Sequence, residues 1–105
     1  MSHRSRLAGF IIDCQVDDLD AAARFWSRAL GFPIADPEAG DATAEYQKFG
    51  GTPADLTIEV QKVAHPSRVH LDIEADDIDA EADRLEQLGA KKIGFVKRWW
   101  VMEAP

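Results

Sequence analysis

The sequence predicts an α+β fold in which one strand–helix–strands unit occurs twice. Three observations predict it. First, "DLDAAARFWSRALG", starting at Asp18, and "DIDAEADRLEQLG", starting at Asp77, both read Asp-aliphatic-Asp-Ala and both close on Leu-Gly. Second, each carries apolar residues at helical spacing. Third, each follows a segment in which apolar and polar side chains alternate, the period of a half-buried strand.

The elements follow in chain order. Phe10, Ile12, Cys14 and Val16 share one face of the opening strand, and Ile11, Asp13, Gln15 and Asp17 share the other. Asp18 is placed to cap the free N–H groups of the first helical turn, Asp20 adds negative charge at the positive end of the dipole, and Gly31 suits the left-handed residue that ends a helix. Leu19, Ala22, Ala23, Trp26, Ala29 and Leu30 form the apolar stripe of this helix. Short strands are expected near 33–35, 44–49 and 56–63, punctuated by Asp36-Pro37, Gly40-Asp41, Gly50-Gly51 and His65-Pro66. The second copy opens with Val69, Leu71 and Ile73 opposite His70, Asp72 and Glu74. Its helix carries Asp77 and Asp79 at the start, Ile78, Ala82, Leu85 and Leu88 on the apolar stripe, and Gly89 at the end. In each copy the helix is the expected cover for the apolar strand face. Arg24, Arg28, Glu81, Asp83, Arg84 and Glu86 fall on the opposite faces and are expected in water. Two final strands are expected at 91–95 and 98–102, and the chain ends there.

A chain of 105 residues makes one domain, with unit one at about 7–63 and unit two at about 67–105. The net charge of −7 opposes binding to nucleic acid and to anionic membranes. No apolar run reaches membrane-spanning length, and the run from Leu7 to Ile12 is too short for a secretory signal core. We expect a cytoplasmic protein. The single cysteine, Cys14, forms no internal disulfide and is expected as a small buried hydrophobe.

The candidate chemistry lies on the polar strand faces. His70 is the residue best suited to act as acid or base, because an imidazole ordinarily titrates near neutrality. Asp72 and Glu74 share its strand face. Of Trp99 and Trp100, adjacent on one strand and so pointing to opposite sides, one is expected in the core and one is available to stack on a flat ligand. His3 is expected in a mobile terminus and His65 in an exposed loop. No serine has the context of a triad, and Gly50-Gly51 reads as a turn rather than a phosphate loop.

The stretches "IIDCQVDDLDAAARFWSRALGFPI", "RVHLDIEADDIDAEADRLEQLGA" and "WWVMEAP" resemble, in order and spacing, the glyoxalase, bleomycin-resistance and extradiol-dioxygenase (vicinal oxygen chelate) superfamily. The resemblance covers nearly the whole chain and is closest to short glyoxalase-like proteins. It implies two βαβββ modules forming an open, incomplete β-barrel around a cavity, with the second module lacking its last strand in this chain. It implies that Asp13, Gln15, Gln61, Asp72, Glu74, Trp99 and Trp100 bind the ligand. Phe25 and Trp26 match the family's helix aromatics and are expected in the core.

In metal-dependent relatives each module supplies a ligand from its first strand and a carboxylate from its fourth. Carried over by position, only His70 and Glu59 match. Ile11 stands where the first module would place its ligand, and the final carboxylate strand is absent. No cofactor is firmly implied, and a divalent metal enters only through His70 and Glu59. An open edge on the second module implies a homodimer. Three readings follow from the resemblance: a small-molecule enzyme of the lyase or isomerase type working around His70, not a standard glyoxalase; a non-catalytic protein that sequesters a small aromatic or cationic compound; or a vestigial or assembly domain. None names the ligand.

Overall fold

A computed structural model describes residues 2–35 and 45–105. The chain is a mixed α+β protein with β1 (Ser5–Cys14), α1 (Leu19–Leu30), β2 (Tyr46–Lys48), β3 (Thr57–Lys62), β4 (Arg68–Ala75), α2 (Ile78–Gln87), β5 (Lys91–Val96) and β6 (Trp99–Glu103). One sheet has the order β2-β3-β1-β4, and β5 and β6 make a second, two-stranded sheet. An isolated bridge between Ile34 and Phe49 stands where a further strand was expected. The turns at Asp36-Pro37 and Gly40-Asp41, and Ala44 at the expected start of a strand, lie outside the described residues. The chain divides into two compact units, Leu7–Asp72 and a second made of the residues up to Arg6 with Ile73–Pro105.

In the larger unit, β1 and β3 run parallel, with Gly9 opposite Thr57 and Cys14 opposite Lys62, and β2 pairs antiparallel with the other side of β3. Gly9 permits this approach: a Cβ there would stand 2.2 Å from the Thr57 carbonyl oxygen. Helix α1 lies over one face. Asp18 accepts a hydrogen bond from Ala21 N at 3.2 Å, and Gly31 ends the helix at φ 78°, a conformation that only glycine adopts cheaply. Beneath the helix, Cys14, Leu19, Ala23, Phe49 and Val60 form the buried cluster, with Ile12, Val16, Ala22, Trp26, Phe32 and Ile58 packed around it. The expected apolar face of β1 is therefore the core face. Burial raises the Cys14 thiol, and nearby Asp13 adds to the effect, as suits a packing residue rather than a nucleophile. Phe25 departs from expectation: it is 61% exposed and meets Trp26 edge to face.

In the smaller unit, Asp77 caps α2 by accepting from Ala80 N at 3.0 Å. The helix packs on β5 and β6, where Phe95 meets Trp100 at a centroid distance of 5.2 Å. Two expectations change, one on β4 and one in this unit. Val69, Leu71 and Ile73, read as a face covered by the following helix, are 59%, 57% and 43% exposed. Of the expected α2 stripe, Ala82 is buried, whereas Ile78 and Leu88 are 38% and 67% exposed. Glu81, read as solvated, is buried. Its carboxylate accepts from Arg84 Nε and Nη2 at 2.8 and 2.7 Å and meets His3 Nε2 at 2.6 Å. His3, expected in the terminus, is thus in contact with Glu81. The Arg84 hydrogen bonds hold the Glu81 carboxyl down at about 2, against the opposing effect of burial, with His3 and Ser5 contributing further.

Two outcomes are expected. Gly9→Ala should destabilise the fold by about 1–3 kcal/mol, the range for overpacking, seen as a lower urea midpoint at unchanged slope. Because Glu81 titrates lower in the folded chain than its ordinary 4.5, its contribution to stability is present above that pH and fades as pH falls toward about 2. Urea titrations across that window should show the wild type losing its advantage over Glu81→Gln as acid is added.

Candidate functional site

The site is built on the face of the large sheet opposite α1. Strand register aligns it. Tyr46 pairs with Gln61, and Gln61 pairs with Asp13, so one row of side chains crosses β2, β3 and β1. The adjacent row is Lys48, Glu59 and Ile11. Gln61 Nε2 donates to the Tyr46 hydroxyl oxygen at 2.9 Å. His70, on β4, extends the first row: its Nδ1 lies 2.9 Å from Asp13 Oδ2. Opposite a carboxylate in its ionised form, which only accepts, His70 Nδ1–H is the donor and the bond selects that tautomer.

Asp13 is the most constrained residue of the face. It is 2% exposed, although its neighbours in sequence, Ile12 and Cys14, serve the apolar core on the other side. The same Oδ2 also lies 3.7 Å from His65 Nε2 and 3.9 Å from Arg68 Nε. Its second oxygen, Oδ1, is buried and has no hydrogen-bond partner among the described residues. A buried carboxylate is tolerated only where donors and opposite charge surround it. Oδ2 meets that condition; Oδ1 does not.

Above this buried acid the face is open. The His70 side chain is 41% exposed, and its Nε2 stands 3.5 Å from Asp72 Oδ1. Burial pushes the Asp72 carboxyl above its ordinary range; His70 pulls it back, and Asp13 pushes it up further. The Tyr46 hydroxyl is also raised, first by burial and then by the negative field of Glu59, Glu45, Asp72 and Asp13. An imidazole that gives Nδ1–H to a buried carboxylate presents a basic Nε2 to whatever reaches the face. That is the arrangement of a general base with an orienting acid.

The structure brings Asp13, His70, Asp72 and Gln61 to this face, with Glu59 in the adjacent row. Gln15 has a different setting: Nε2 donates to the Ala64 carbonyl at 2.6 Å, and its backbone N donates to Ser67 Oγ at 2.9 Å, which clamps the connection that carries His65. Glu74 belongs to the smaller unit, where it pairs with Arg6 at 3.4 Å. Trp99 and Trp100 also belong to that unit. Trp100 donates Nε1–H to Asp79 Oδ1 at 2.9 Å, while Trp99 lies exposed beneath the Lys97 ammonium. Sequence reasoning missed His65, Arg68 and Tyr46. Arg68 was within reach, since the alternation that groups His70 with Asp72 includes it. His65 and Tyr46 needed a loop conformation and a strand register.

The metal that the resemblance allows finds an incomplete donor set on this face. Ile11, cross-strand neighbour of Glu59, offers no ligand atom. His70 Nδ1 is engaged by Asp13. Among the described residues, no group of three or more His, Cys, Asp or Glu is arranged to hold an ion. The residues present do not fit the usual complement of about three protein ligands. Protein purified without chelator should therefore carry substoichiometric Ni, Zn, Mn and Fe by elemental analysis. Stoichiometric metal that is lost in His70→Ala would reverse this assignment.

No helix of the described residues is long and apolar enough to cross a membrane. Comparison with curated proteins gives no match. The family model described as a glyoxalase-like domain matches residues 9–105, which takes in both helices, all of β2 to β6 and the polar face just described. The chain thus belongs to the glyoxalase-like domain family.

Proposed function

We propose that the protein is a small-molecule enzyme of the lyase or isomerase type, in which His70 Nε2 moves a proton at a carbon activated by a carbonyl group. One observation carries this reading: the 2.9 Å contact between His70 Nδ1 and the buried Asp13 carboxylate, which leaves Nε2 on an accessible face. Asp13 fixes the tautomer and stabilises the imidazolium formed on proton transfer. Asp72, raised by burial and 3.5 Å from Nε2, is the group to which that proton passes. Gln61, Tyr46 and Glu59 line the same face and bind the substrate. No step passes through a metal.

We read the architecture as two βαβββ-type modules around an open barrel. The order β1, α1, the Ile34 bridge, β2 and β3 supports the first module. We further propose a homodimer, supported by the exposed apolar residues Val69 and Leu71, and a cytoplasmic setting, supported by the single unpaired Cys14.

The test is proton exchange. A panel of small hydroxy ketones and 2-oxo acids is incubated with protein in D2O, and loss of the α-proton signals is followed by NMR. Wild type should exchange at least one member. His70→Ala should lower that rate by about 10²-fold or more, the usual contribution of a positioned base, and Asp13→Asn should lower it through loss of the tautomer. Binding of a panel member without exchange, or exchange that survives His70→Ala, would sink the enzyme reading.

A further inference from the structure

The buried, unpartnered Asp13 Oδ1 and the Gln61 amide stand on the same row of the sheet. We propose that Gln61 is a positioning residue whose amide bridges Tyr46 and Asp13. In this arrangement Oε1 accepts the Tyr46 O–H, and Nε2 donates to Asp13 Oδ1. The inference deepens the reading of His70 as a base and rests on it for its catalytic meaning.

Three observations lead there. Strand order β2-β3-β1 puts Tyr46 and Asp13 on opposite flanks of Gln61, and register pairs both of them with it. Adjacent strands lie about 4.8 Å apart, within reach of a glutamine side chain. The amide already touches Tyr46, through Nε2 at 2.9 Å, and on the other flank of Gln61 the buried Asp13 Oδ1 needs a donor. A half-turn about the terminal bond of the amide exchanges N and O in nearly the same space. After that turn the phenol donates, the amide oxygen accepts, the amide nitrogen donates and the buried carboxylate oxygen accepts. The bridge so formed gives the orphaned acceptor a donor.

The consequence is a hydrogen-bonded row across four strands, from Tyr46 through Gln61 and Asp13 to His70. Asp13 is then gripped at both oxygens, so its plane, and the direction in which it holds the imidazole, are fixed. Gln61 then acts on the base through Asp13, besides lining the face that takes the substrate.

The test uses the whole chain labelled with ¹⁵N and the side-chain amide resonances of Gln61, assigned by their absence in Gln61→Met. Asp13→Asn removes the charged acceptor, and Tyr46→Phe removes the hydroxyl but keeps the ring. The bridge predicts a large displacement of one Nε2 proton in Asp13→Asn and a small one in Tyr46→Phe. The reverse ranking places the amide nitrogen on Tyr46 and overturns the proposal. If Asp13→Asn does not fold, Tyr46→Phe decides alone, since loss of the Nε2 acceptor would move both amide protons strongly. These resonances report on the row whether or not the wild type exchanges any substrate proton, so failure of the base reading is seen separately in the D2O assay.

Discussion

A carboxylate buried to 2% exposure sets the terms for this sheet. An isolated charge in that position would cost several kcal/mol or would neutralise itself, so Asp13 requires donors close by. His70 answers at 2.9 Å, with His65 and Arg68 behind it at 3.7 and 3.9 Å. The requirement works in both directions. The acid accounts for the gathering of basic groups, and those groups give its Oδ2 the partners that burial demands. Gln15 belongs to the same economy of positions: by clamping Ala64 and Ser67 it holds the short connection that delivers His65 to Asp13.

The strand that carries Asp13 serves two environments. Ile12 and Cys14 face the cluster under α1, while Ile11 and Asp13 face the polar side. Side-chain alternation makes this possible, and it also makes register unforgiving. A slip of one residue would turn Asp13 into the apolar core and Cys14 onto the polar face. The parallel pairing with β3 holds the register, and Gly9 lets the two backbones close at Thr57. Packing on one face and acid–base geometry on the other are thus two results of a single pairing.

The repeated helices show how much local signals decide. Asp18 and Asp77 cap their helices in the same way, with side-chain acceptances at 3.2 and 3.0 Å. Beyond the cap the copies diverge. Helix α1 covers its sheet, whereas α2 packs on the β5–β6 hairpin and buries Glu81 with Arg84 and His3. A charge at a helical position reads as solvated unless its partner is known. Glu81 has one three residues along and another seventy-eight residues away. The first was visible in the spacing; the second was not.

The α+β class, both helices with their caps, most strand positions, the apolar face of β1 and the family resemblance were all legible in the residues, because each rests on short-range periodicity or on a local order of motifs. His70, Asp13, Asp72 and Gln61 were legible as members of polar strand faces for the same reason. Periodicity says which side of a strand a residue takes, but not which residue of another strand stands beside it. The contact of His70 with Asp13 spans fifty-seven positions, and the row from Tyr46 to Asp13 depends on two strand registers. The arrival of His65 depends on a loop held by Gln15. These were decided by tertiary structure alone, since long-range pairing is fixed by the joint packing of the chain and not by any segment of it.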